Sequence, residues 1–152
     1  MRRSLATFFA VTALSFVVLA PPASAVSWYS SSSPLVAYED GTAQAKAYGN
    51  FYNSQNSYAK SMSYQRDPRP GGDAVFVDID YLFDHYDGNT TVFQFFGNDQ
   101  TTRTDNNSWI QYYETFPLRD ESTKARGRIK TCEDQSFSFD PCSATTLPTF
   151  SY

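Results

Sequence analysis

Histidine is the side chain that first raises the question of catalysis in this sequence. His85 is the only histidine, and it lies in the run Asp84-His85-Tyr86-Asp87-Gly88, where the Asp-Gly step is typical of a hairpin turn. A Ser-His-Asp site would have to use it, but the chain has no G-x-S-x-G nucleophile motif. We therefore predict that His85 is a solvated turn residue, and we assign no catalytic residue.

A second chemical possibility is calcium binding by the acidic cluster Asp78, Asp80, Asp84 and Asp87. Calcium prefers oxygen ligands gathered from a turn, and Asp84, Asp87 and Asn89 could supply some of them. The run does not fit the EF-hand pattern, because Gly and Glu do not fall at the required positions. The alternative is that Asp78 and Asp80 line a solvent-exposed face while the other two build turns. We favour the alternative and predict no metal and no cofactor.

A basic row, formed by Lys124, Arg126, Arg128 and Lys130, stands out in an acidic chain. Alternate residues of a strand point the same way, so these four cations would share one face. Arg126 and Arg128 are therefore candidate binding residues for a phosphorylated or sulfated glycan. In the other interpretation, which we favour, this strand lies beside Asp78 and Asp80, and the charges pair across the strands.

Aromatic residues offer a separate candidate surface for sugars. Trp109 and Tyr113 would lie on one face of a strand, about 13–14 Å apart along it. Exposed rings at such a spacing could stack on a glycan. Packing in the core explains aromatic residues equally well, because they bury a large area.

The only two cysteines, Cys132 and Cys142, are predicted to form a disulfide. An even pair in an exported chain is typical of a structural bridge, whereas redox motifs usually have the C-x-x-C spacing. Two Cys and one His are too few for a closed zinc site. The expected stabilisation for a loop of this length is roughly 2.5–3 kcal/mol.

The N-terminus has the features of a cleaved export signal. Arg2 and Arg3 precede an apolar run that ends at Pro21-Pro22, and Ala23-Ser24-Ala25 matches a cleavage site. We expect a signal peptide over residues 1–25 and a single domain over residues 26–152, secreted and with no membrane insertion after cleavage. The exported chain keeps 10 cationic and 16 acidic side chains, a net charge of −6 with His85 neutral. That charge argues against general nucleic-acid binding.

The periodicity of the exported chain predicts an all-β fold. Apolar residues alternate over 74–83, and further strands are predicted over 35–39, 43–52, 58–66, 90–97, 108–116 and 124–132. Residues 43–48 could instead form a short helical turn. About seven strands separated by frequent turns predict an antiparallel β-sandwich, Ig-like in general shape, with a barrel as the alternative.

Two stretches carry a resemblance to known sequences. One is the run from Ala125 to Gln135, followed by Asp140-Pro141-Cys142-Ser143, and the other is Ala47-Tyr48-Gly49-Asn50-Phe51-Tyr52. Together they resemble small secreted proteins of unknown function from high-GC Gram-positive bacteria. The resemblance implies export and one Cys-x9-Cys disulfide, and it supplies no catalytic residues.

These observations predict a secreted binding or surface-interaction protein without enzymatic activity. Its expected partner is a cell-wall or extracellular glycan, or an extracellular protein. One alternative is a small hydrolase of polysaccharide, for which Glu39, Glu114, Glu121 and Glu133 are available acids. Another alternative is a secreted effector or inhibitor.

Overall fold

The computed structural model describes residues 25–136 and 139–152, which form nine β-strands in two antiparallel sheets. The strands are β1 (Val26–Trp28), β2 (Leu35–Glu39), β3 (Thr42–Ser54), β4 (Tyr58–Arg66), β5 (Val75–Tyr86), β6 (Thr91–Gln100), β7 (Ile110–Pro117), β8 (Lys124–Glu133) and β9 (Thr149–Ser151). The predicted signal lies outside the described residues, apart from Ala25. Among the described residues, no helix has the length and apolarity needed to cross a membrane.

The two sheets pack face to face, so the predicted β-sandwich is confirmed. The first sheet has the order β1-β3-β4-β7, with β2 also paired to β3, and the second has the order β6-β5-β8-β9. All seven predicted strands are present within three residues at each end. The alternative helical turn at 43–48 is wrong, because these residues belong to β3. Two strands of three residues each, β1 and β9, were not predicted.

The core lies between the sheets and is dominated by the inner face of β5. Val75, Val77, Ile79, Tyr81 and Phe83 are all fully buried, as their alternation predicts. From the first sheet, Phe51 packs against them, with its ring centroid 6.1 Å from that of Tyr81. This contiguous apolar layer supplies the main driving force for joining the two sheets.

The inner face of β4 is small and polar. Ala59, Ser61, Ser63 and Gln65 are fully buried. Gln65 connects the sheets, because its Nε2 donates to the Val75 carbonyl at 3.0 Å and its Oε1 accepts from Thr101. The small inner residues leave room for the large side chains of the opposite sheet. As a consequence, the large residues of β4 face outward.

Strand β8 pairs with β5 in the register Asp78↔Lys130, Ile79↔Ile129 and Asp80↔Arg128. The following chain runs back along β8 and is attached to it by the disulfide Cys132–Cys142, which confirms the predicted pairing. Ile129 and Thr146 pair as an isolated bridge, and β9 completes this edge.

Gly49 is required where the first sheet is most crowded. A Cβ atom on Gly49 would lie 2.0 Å from the Met62 carbonyl oxygen and 2.9 Å from the buried Trp28 ring. We expect Gly49→Ala to lower the free energy of unfolding by about 2 kcal/mol or more, because backbone and indole must both shift. Urea denaturation measures the change.

Gly72→Ala is the matched control, since the nearest atom to a Cβ there is 3.8 Å away. Its effect should stay within about 0.5 kcal/mol. Equal stabilities for the two variants would contradict the close approach at Gly49.

Candidate functional site

The outer surface of the first sheet is an aromatic and cationic face, which we call the tyrosine face. It comprises the outward side chains Lys46, Tyr48, Tyr52, Tyr58, Lys60, Tyr64, Arg66, Trp109 and Tyr113. Strand pairing places Tyr48 beside Tyr64, and Lys46 beside Arg66. In the next rows Met62 lies between Asn50 and Tyr113, and Lys60 lies between Tyr52 and Thr115.

The rings of the tyrosine face pack on one another. Tyr48 and Tyr64 stack with centroids 4.9 Å apart and planes 9° from parallel. The Trp109 ring meets Tyr48 edge-on at 4.8 Å. Aromatic contacts of this kind hold the side chains in fixed positions without a core around them.

Two cations lie over rings of this face. The Arg66 guanidinium is 4.7 Å from the centroid of Trp109, and the Lys60 ammonium is 4.1 Å from that of Tyr113. Each contact stabilises a fixed position for the charge by about 0.5–1 kcal/mol. The ring and the cation therefore form one mixed surface.

No carboxylate lies among the outward residues of β3, β4 and β7. Within the described residues, Lys46, Lys60 and Arg66 form no ion pair. Burial, and secondarily the neighbouring Tyr64, raises the pKa of Tyr48, so its hydroxyl stays neutral and able to donate. The tyrosine face thus presents positive charge and phenolic donors together.

Both aromatic residues predicted to bind sugars belong to the tyrosine face. Tyr113 is 49% exposed, whereas Trp109 is only partly exposed beneath Arg66 and beside Tyr48. Trp109 immediately precedes β7 and does not form part of it. Tyr113 is thus the more accessible of the two.

The basic row faces outward on the second sheet, and half of it is paired. Lys130 Nζ lies 3.3 Å from Asp78 Oδ2, and Arg128 Nη2 lies 2.6 Å from Asp80 Oδ2. Asn98 also donates to both carboxylates. Arg126 lies over the Phe93 ring at 3.7 Å and donates from Nε to Thr149 Oγ1. The structure therefore places Arg126 and Arg128 together but gives Arg128 an internal counterion.

Asp84 and Asp87, two of the candidate calcium ligands, accept hydrogen bonds from the protein itself. Asp84 accepts at 2.7 Å from the Thr123 N–H, the Thr123 hydroxyl and the Lys124 N–H. Asp87 Oδ1 accepts from the N–H groups of Asn89 and Thr90, which closes the predicted turn. His85 is exposed beside this turn.

A polar pocket of about 390 Å³ opens between the sheets near the β4–β5 loop. The carboxylates of Glu39 and Glu133 both accept from the Gln135 amide, at 3.0 and 2.9 Å. Glycoside hydrolysis needs a scissile oxygen between an acid and a base or nucleophile. In this pocket the Gln135 side-chain nitrogen donates to both carboxylates and so lies where the scissile oxygen would have to bind.

Sequence reasoning missed Lys46, Lys60, Arg66 and the tyrosines around them. Their alternation with small residues over 43–52 and 58–66 was visible, but large aromatic residues are ordinarily assigned to the buried side. Here the small residues are buried and the large ones face outward. The sequence signal that could have revealed this face is the absence of any acid at the outward positions of β3, β4 and β7.

No protein-family model, curated protein or solved structure matches this sequence. Its function must therefore be inferred from the arrangement of its side chains.

Asp84 tests whether the acidic cluster is structural. Burial opposes its ionisation, but hydrogen bonds from Thr123 and Lys124 outweigh burial and lower the pKa of Asp84. A lowered pKa stabilises the fold above the ordinary carboxyl pKa, about 4, and this contribution is lost as pH falls through the folded value. We expect Asp84→Asn to cost about 1–2 kcal/mol near neutral pH, with or without calcium, and progressively less in acid.

Chemical denaturation across a pH series measures this difference, with the exposed Asp120→Asn as control. A cost that appears only when calcium is present would show that Asp84 binds the ion and would contradict a purely structural role.

Proposed function

We propose that this protein is secreted and acts by binding, without enzymatic activity, and that its tyrosine face binds a negatively charged extracellular glycan. The observation that carries the proposal is that face's combination of three unpaired cations, several tyrosines and no carboxylate. In a chain whose exported part has a net charge of −6, such a face is not expected from composition.

Charge supports the anionic class of ligand. The remaining surface is acidic overall, so a polyanion is repelled there and attracted to the tyrosine face. Lys60 and Arg66 are held by aromatic rings, and this preorganisation lowers the entropy cost of binding. Phosphate and carboxylate groups are the natural acceptors for a guanidinium, an ammonium and phenolic hydroxyls.

The outward position of the tyrosines supports a binding role as well. Tyr58 is 42% exposed and Tyr113 is 49% exposed. Contiguous exposed aromatic surface is uncommon on a monomer and ordinarily marks an interaction site. Rings beside cations give a ligand both a flat apolar contact and a charged one, which suits a sugar that carries an acidic group.

The disulfide supports an extracellular location, because such bonds persist in oxidising compartments. The export signal expected over residues 1–25 and the resemblance to secreted proteins of high-GC Gram-positive bacteria point the same way. Anionic wall polymers of the teichoic type are therefore the ligands we would test first.

A sedimentation assay tests the proposal with two variants that remove equal charge. Lys60→Gln/Arg66→Gln removes two cations from the tyrosine face, and Arg126→Gln/Arg128→Gln removes two from the basic row. The probe is insoluble Gram-positive cell wall, either intact or stripped of its phosphate polymers. We expect salt-sensitive retention on intact wall that falls about tenfold or more in the first variant.

The second variant should retain close to the original affinity, since Arg128 is already paired with Asp80. Retention lost only in the second variant would show that the ligand binds the basic row and not the tyrosine face. Equal retention on stripped wall, unaffected by salt, would contradict an anionic ligand.

A further inference from the structure

A different feature lies at one margin of the sandwich, where the edge strands β6 and β7 belong to different sheets and approach each other without a hydrogen-bond ladder. Side chains close this gap. The Phe116 ring packs so closely on Gly97 that a Cβ atom there would lie 2.3 Å from it. Phe116 also stacks on Tyr81, with centroids 5.1 Å apart.

Two inward carboxyl groups follow along the same gap. Asp99 of β6 lies opposite the buried Ile79, and Glu114 of β7 lies opposite the buried Ser61. Gly97 and Phe116, which lie two residues from them on the same strands, are in contact, and Asp99 acts directly on the Glu114 carboxyl group, so the two acids lie close together although they come from different sheets. Among the described residues, no Lys or Arg forms an ion pair with either.

Two carboxylates this close repel each other, and the repulsion is relieved either by a proton shared between them or by a bound cation. Burial, and then the nearby Asp99, raises the pKa of Glu114 to about 7. In an alkaline medium the shared proton is lost, and only a bound cation then relieves the repulsion.

Tyr81 provides a second, independent observation. Its side chain is fully buried, yet its hydroxyl has no hydrogen-bond partner among the described residues. The hydroxyl lies within the electrostatic field of Asp99 and Glu114, which add to the effect of burial in raising its pKa. A buried hydroxyl without a partner destabilises the fold, so a ligand beside it would recover that loss.

We propose that Asp99, Glu114 and the Tyr81 hydroxyl form a divalent-cation site of the calcium class, which joins the two sheets across the β6–β7 gap. All three residues offer oxygen, and oxygen donors select calcium or magnesium over zinc or copper. Calcium tolerates irregular geometry and completes its shell with water, whereas magnesium demands a near-ideal octahedron. Asp99 and Glu114 are both partly exposed, so water and the ion can enter. This site is independent of the tyrosine face.

Thermal unfolding of the exported chain, residues 26–152 with the disulfide intact, tests the site. At about pH 8 we expect about 2 mM CaCl₂ to raise the Tm by about 5 °C or more relative to EDTA. Asp99→Asn/Glu114→Gln should abolish the response, while the amides keep a hydrogen bond and the fold. Glu121→Gln, which removes an exposed carboxylate paired with Arg119, should respond like the original protein.

Terbium provides a second readout, because a nearby tyrosine sensitises its luminescence. Emission excited through tyrosine should appear on binding, and Tyr81→Phe should reduce it. The proposal is overturned if calcium does not change the Tm at about pH 8, or if the Asp99/Glu114 variant responds equally. Stabilisation by acid alone, with no calcium response, would also overturn it, since a shared proton would then hold the pair.

Discussion

The pairing of β5 with β8 is the constraint on which the rest of the structure depends. Its register places Ile79 beside Ile129 on the inner side, and Asp78 and Asp80 beside Lys130 and Arg128 on the outer side. A slip by one residue would turn this set of charges into the core, which is prohibitively costly. The same register supplies counterions to half of the basic row. Among the described residues, two cations of the basic row and three of the tyrosine face then form no ion pair.

The opposite sheet responds to the bulky inner face of β5. Because Tyr81 and Phe83 fill the space between the layers, β4 contributes only small or polar side chains to it. The large residues of β4, such as Tyr64 and Met62, must then lie outside. Exposed aromatic residues forgo burial energy that a purely structural sheet would use. We interpret this loss of burial energy as the cost of keeping aromatic residues accessible on the tyrosine face for binding.

Much of the fold could be predicted from the sequence, because strand periodicity is a local signal. Leu35–Glu39 and Tyr58–Arg66 were predicted with the observed bounds. The strands β1 and β9 were missed because three residues are too few to show a period. Trp109 and Tyr113 were predicted as binding residues, but the cations and the other tyrosines of the tyrosine face were missed for another reason. Alternation identifies two faces of a strand, but the opposing sheet decides which one is buried. Asp99 and Glu114 are brought together only by the packing of the two sheets, so no sequence pattern reports their contact.

The most direct test of the central claim is a map of backbone amide shifts by nuclear magnetic resonance during titration with polygalacturonate, a soluble glycan that carries carboxylates. We predict that perturbations cluster on the outward residues of β3, β4 and β7, around Lys60, Arg66 and Tyr113, and weaken as salt is added. Perturbations centred on β8 around Arg126 and Arg128 would contradict it, and so would a spectrum that does not change.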